Sequence, residues 1–169
     1  MRSGTILLTL GALCLSTLLL AESTAGLHWT APAGWVSKGS APMRAATYTV
    51  EDAECVVYFF GQGQGGSVDA NMQRWTGQFS APGGGHAVPK IGKRSVNGLP
   101  VTELDISGTY AGMAGPAMTP QDPKGNTRML AAIIENPAGN LFVKFTGPSK
   151  TITANAAKFR QLVDSFKKE

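Results

Sequence analysis

The sequence predicts an α+β domain, an αβα sandwich in which a mainly antiparallel sheet is flanked by two amphipathic helices. Three observations carry that expectation. Strand-like segments follow one another through connections too short for parallel crossovers; in "IGKRSVNGLPVTELDIS" the pair Asn97-Gly98 supplies the φ > 0 residues of a tight hairpin. Two segments carry apolar residues at helical spacing, Val68-Met72-Trp75-Phe79 and Phe159-Leu162-Val163-Phe166. Only Cys55 lies outside the N-terminal apolar run, so no disulfide can form inside the domain, and stability must come from a core shared by sheet and helices.

The chain opens with Arg2, an apolar run from Ile6 to Ala21, and then Ser23-Thr24-Ala25. This is the order of a secretory signal, and the run is shorter than the roughly 20 residues of a spanning helix. The expected organisation is a signal peptide over residues 1–25 and one domain over 26–169, exported to the periplasm or the exterior, with no transmembrane segment after cleavage. Cleavage after Ala21 would place Leu19 where small residues are preferred, and an uncleaved N-terminal anchor is the alternative to processing. Cys14 follows Leu13, which is not the small residue that lipid modification requires.

"LHWTAPAGWVSKG" brings two tryptophans close to the new N-terminus, which ties it to the core. "RAATYTV" (Arg44–Val50) and "ECVVYFF" (Glu54–Phe60) are β-branched and aromatic strands. A glycine turn follows, and then a helix with Ser67 as N-cap and Asp69 in the first turn. "SAPGGGHAVP" ends it. After the Asn97-Gly98 hairpin, Gly108–Thr127 is rich in Gly and Pro and too long for a mere connection. "RMLAAIIE" and "NLFVKFTG" form a second hairpin around Asn136–Gly139, and the last helix is expected from about Thr153 to Lys167.

Charge and motifs remove several function classes. Lys and Arg number 15 against 11 Asp and Glu, a net charge of +4, but the basic residues are scattered, without the stripe of a nucleic-acid binder. Gly61, Gly63 and Gly66 have the spacing G-x-G-x-x-G. A dinucleotide site would need a parallel βαβ unit and an acidic residue about 20 positions on. No acid lies between Asp69 and Glu103, and the next strands form a hairpin. A phosphate-binding loop would end in Gly-Lys-Ser/Thr, which is absent. The turn is therefore read as a tight reversal, with an anion site at the N–H groups of Gly65, Gly66 and Ser67 as the functional alternative.

Around this turn, "LHWTAPAGWV" resembles the opening of PsbP-like domains. "NLFVKFTGPSKTITANAAKFRQLVDSFK" resembles their closing strand, Gly-Pro turn and final helix. The central "ECVVYFFGQGQGGSVDANMQRWTGQF" is more similar to an uncharacterised group of exported bacterial proteins. The resemblance covers most of the domain and implies the sandwich fold and a non-catalytic accessory or binding role. It implies no site residue.

The first functional expectation is thus a non-enzymatic binding module for a protein partner or small ligand, without cofactor. Its site residues are Gly63, Gly65, Gly66 and Ser67 of the turn, Asn71 and Arg74 on the exposed side of the helix, and Tyr110 at the long loop. A second is a hydrolase using Glu103, Asp105 or His86, and a third is a structural envelope component. His28 reads as a strand surface residue and Cys55 as a small buried hydrophobe. Met113, Met118 and Met129 with His86 match no compact copper motif, and no His/Cys cluster suits zinc, so no metal site is expected.

Overall fold

The computed structural model of the chain describes residues 21–112 and 123–169. The core of the signal segment, Met113 and Met118 lie outside the described residues. An eight-stranded sheet dominates. It contains β3 (Val36–Ala41), β4 (Arg44–Val50), β5 (Ala53–Phe59), β6 (Phe79–Ser80), β7 (Lys90–Val96), β8 (Leu99–Tyr110), β9 (Lys124–Ile134) and β10 (Leu141–Pro148). Its order is β3-β4-β5-β10-β9-β8-β6, with β7 also pairing β8. A small second sheet joins β1 (Ala21–Thr24), β2 (Leu27–Thr30) and β11 (Lys167–Lys168). Every pairing is antiparallel. The helices are α1 (Val68–Thr76), α2 (Ser149–Ala154) and α3 (Ala156–Asp164).

Strand alternation sorts the core onto the two sheet faces. Along β10, Leu141, Val143 and Phe145 join Cys55, Val57 and Ala132 under Ile152, Phe159, Leu162 and Val163 of α2 and α3. Phe142, with Leu104, Ile106, Met129 and Ile133, instead packs with Met72 and Trp75 of α1. The small sheet closes over the α3 side, where Trp29 stacks on Phe166 at 5.0 Å. Both expected hairpins form. Asn97 and Gly98 have φ of 49° and 79°, the left-handed pair that a two-residue turn requires. The Asn97 amide also donates to the carbonyls of Asp164 and Phe166, pinning the end of α3.

Several expectations need correction. The last helix does not run unbroken from Thr153 to Lys167: it starts at Ser149, breaks at Asn155 and stops at Asp164, and Lys167–Lys168 form β11. Asn155 causes the break by turning its amide back to the Thr151 carbonyl and toward Glu51. Phe79 is not the end of the apolar helix stripe; α1 stops at Thr76, and Phe79 pairs in β6 with Tyr110. The Gly108–Thr127 loop is shorter than expected, because β8 extends to Tyr110 and β9 begins at Lys124. The expected cleavage point after Ala25 falls between β1 and β2.

Candidate functional site

The glycine turn is built as a reversal. Gly61, Gly63, Gly65 and Gly66 all have positive φ, between 70° and 103°. Gly65 matters most. A Cβ there would lie 2.6 Å from Cε2 of Phe142 and 2.8 Å from Cδ2 of Phe60, so only glycine lets the backbone rest on those rings. Ser67 caps α1, its hydroxyl accepting from the Ala70 N–H. Asn71 is not on the exposed side of the helix as expected: it is buried, and its amide donates to the Gly65 and Ser67 carbonyls at 2.8 and 2.9 Å. Its side-chain oxygen accepts from Arg74, which does sit on the exposed side. Turn, cap and first helical turns thereby become one rigid unit.

This unit closes one end of a notch of about 50 Å³ between α1 and the sheet, lined by Tyr58, Phe60, Asn71, Arg74, Trp75, Phe142 and Lys144. Its floor is aromatic. Tyr58 and Phe60 stack at 5.9 Å, Phe60 meets Phe142 at 5.5 Å, and Trp75 stands edge-on to Phe142 at 6.5 Å. Lys144 enters from β10, which pairs with β5 and β9 in the middle of the sheet, and its ammonium lies 5.7 Å from the Trp75 ring centre. Burial, followed by the charge of Arg74, pushes the Lys144 amine down to about 8. Among the described residues neither Lys144 nor Arg74 forms an ion pair with a carboxylate. Two cations thus converge on a small apolar recess, an arrangement that costs free energy until an anion joins them.

Lys144 was not singled out in the sequence. Its signal was the run "NLFVKF", a lysine in mid-strand among large apolar residues, on a strand whose two neighbours were themselves apolar.

The remaining expected residues lie elsewhere. Gly63 and Gly66 are exposed in the turn. Tyr110 does not join the notch: it packs on Phe79 at 4.9 Å and lines a broad cleft of about 700 Å³ with Glu54, Lys124, Thr127 and Thr146. Burial raises its phenol pKa. The three carboxylates of that cleft each have a partner: Glu51 accepts from the Asn155 amide at 3.3 Å, Asp52 from the Thr151 hydroxyl at 2.6 Å, and Glu54 pairs with Arg44 at 3.0 Å. Glu103 and Asp105 share one face of β8, as expected, but each gives both oxygens to a guanidinium: Glu103 to Arg94 at 2.9 Å and Asp105 to Arg128 at 2.8 Å. These pairs hold both arginines above their usual pKa. His86 is exposed in the loop before β7 and does not line the cleft that Glu103 and Asp105 border. Cys55 is fully buried, and burial pushes its thiol pKa well up.

No protein-family model and no curated protein matches the sequence. Among solved structures, the chain is similar to cyanobacterial PsbP (CyanoP) from Synechocystis sp. PCC 6803, at 14% identity and a TM-score of 0.57, over 96% of this chain and 99% of that one. A protein of unknown function from Pseudomonas aeruginosa also aligns, at 12% identity and a TM-score of 0.47, over 89% of this chain and 97% of that one. With its antiparallel sheet and few helices, and with nearly end-to-end correspondence to cyanobacterial PsbP, this chain has a PsbP-like α+β fold.

Proposed function

We propose that this chain is a non-enzymatic, exported binding module that takes its partner or ligand on the face of α1, at the notch between Arg74 and Lys144. The observation that carries the reading is the convergence of these two cations over an aromatic floor, with no carboxylate pairing either of them among the described residues. A side chain that lowers stability in this way is retained most readily where binding needs it. The finer architecture belongs to the same reading: an αβα sandwich in which α1 covers one sheet face and α2–α3 the other, leaving the α1 side with a single helix and an open recess. Export rests on the N-terminal pattern of Arg2, the Ile6–Ala21 apolar run and the small residues after it.

The accessory role is favoured over hydrolysis by what the reactive groups already do. Glu103 and Asp105 are held by arginines, Cys55 is buried, and His86 stands apart in a loop. Arg74→Glu tests the assignment. The exchange is on an exposed helix position, so the melting temperature should stay within a few degrees of wild type while capture of a partner from the native envelope fails. Lys93→Glu, on exposed β7, should capture normally. Undiminished capture by Arg74→Glu removes α1 from the binding surface.

A further inference from the structure

We propose that the Arg74–Lys144 notch is a carboxylate site, specific for a carboxylate carried on an aromatic or aliphatic group. This rests on the reading of the α1 face as the binding surface and adds the chemistry of what it binds. Three features of the recess select the ligand. Its volume, about 50 Å³, admits only the charged head group of a ligand, so the carbon group attached to it must lie along the aromatic rim rather than inside. Its two cations differ in kind. Arg74 spends one guanidinium nitrogen on Asn71 and retains N–H donors in a planar fork that matches a carboxylate, while Lys144 adds a point charge beneath it. Its remaining wall is the aromatic set of Tyr58, Phe60, Trp75 and Phe142. That wall is mostly ring hydrocarbon and covers the carbon group attached to a carboxylate, which a free phosphate lacks.

Binding is then coupled to the charge of Lys144. The groups facing it are few. Arg74 faces it from α1. Tyr58 lines the notch from β5, and Glu54, on the same sheet face, is paired with Arg44 of β4. Ala131 opposite it on β9 is apolar, and Tyr110 of β8 lies beyond the notch. An anion placed between the two cations favours protonated Lys144, so ligand and proton bind together, and affinity falls as pH rises through the Lys144 titration.

The experiment is a ¹⁵N/¹³C NMR titration of the protein as isolated from its host. The probes are phenylacetate, acetate, inorganic phosphate and the blocked dipeptide N-acetyl-glutamyl-phenylalanine amide. The expected result is saturable shifts at Gly65, Asn71, Arg74 and Lys144 with phenylacetate or the dipeptide. Acetate and phosphate should bind more weakly. Affinity should fall about tenfold from pH 7 to pH 10, and about tenfold in Arg74→Gln, as for loss of one charge-assisted hydrogen bond. Lys144→Met should bind weakly at both pH values, with the pH dependence gone. A dipeptide tighter than phenylacetate identifies a protein's acidic side chain as the source of the carboxylate; the reverse order identifies a small organic acid. No saturable shift with either carboxylate, or tighter binding of phosphate, overturns the proposal. If partner capture still depends on Arg74 in that event, the α1 surface stands and only its ligand chemistry is wrong. If capture is also independent of Arg74, both readings fall together.

Discussion

Removing residues up to Ala25 should destabilise the domain, although the sequence pattern favours cleavage there. The reason is a chain of hydrogen bonds that runs from the core out to the surface at Glu22. The Trp29 indole N–H donates to the Tyr48 hydroxyl at 2.8 Å, and that hydroxyl donates to Glu22 at 2.8 Å. Ser37 donates to the other Glu22 oxygen at 3.3 Å. Trp29 and Tyr48 are both 0% exposed, so the tyrosine proton has few routes to water once Glu22 is gone. Hydrogen bonds to a charged acceptor contribute about 1.5–3 kcal/mol, and leaving the donor buried and unsatisfied forfeits that amount. The four residues of β1 also leave an edge of β2 unpaired. A chain beginning at Gly26 should therefore be about 2–3 kcal/mol less stable than one beginning at Ala21, measured by urea unfolding at pH 7 with m-values compared. Glu22→Gln, which keeps an acceptor, should lose only about 1 kcal/mol. Equal stability of the two chains, within 0.5 kcal/mol on the order of surface effects, would refute the reasoning. The same comparison bears on processing, because cleavage after Ala21 preserves Glu22 and cleavage after Ala25 discards it.

Lys144→Met should stabilise the protein at pH 7. Its amine moves from 10.5 to about 8, and at about 1.4 kcal/mol per pH unit this sets an upper bound of roughly 3 kcal/mol. The sign follows from linkage: below pH 8 the folded state carries the full desolvation penalty, and between pH 8 and 10.5 the unfolded chain binds the extra proton, so wild-type stability rises toward that of the variant. Thermal unfolding at pH 7 and pH 10 checks this, and a less stable Lys144→Met at pH 7 would contradict it. Gly65→Ala combines a φ of 89° with a collision against Phe142 and should cost about 2–4 kcal/mol. Gly63→Ala, at φ 70° but with nothing within 4 Å of its Cβ, should cost only about 1–2 kcal/mol by the same unfolding assay.

Local chemistry made part of this legible in advance. Asn97-Gly98 demanded a hairpin, Ser67 a helix start, and the glycine run a left-handed reversal, and each formed for the stated backbone reason. The misreadings have a common cause in contacts distant along the chain. β3 reads "VSKGSA", exposed throughout, with no alternation to reveal a strand; it exists because β4 offers an edge. β11 continues past α3 because Leu27 and His28 pair with it. Asn71 looked like a solvated helix residue, yet the turn six residues earlier folds back under its amide. Lys144 was the largest omission. In "LFVKF" Lys144 shares a face with Phe142 and so breaks an otherwise apolar strand, but the docking of α1 that turns its surroundings into a recess involves residues far away along the chain.

The most direct test of the α1 site is the ionisation of Lys144 itself. A ¹³Cε/¹Hε NMR pH titration, assigned through Lys144→Met, should give a pKa near 8. In Arg74→Gln it should rise but stay below 10.5, since burial is the larger cause and the Arg74 charge the smaller. A Lys144 that titrates near 10.5 in the wild-type protein would mean a solvated or ion-paired amine, and the notch would lose the unmatched charge on which its assignment as a binding site depends.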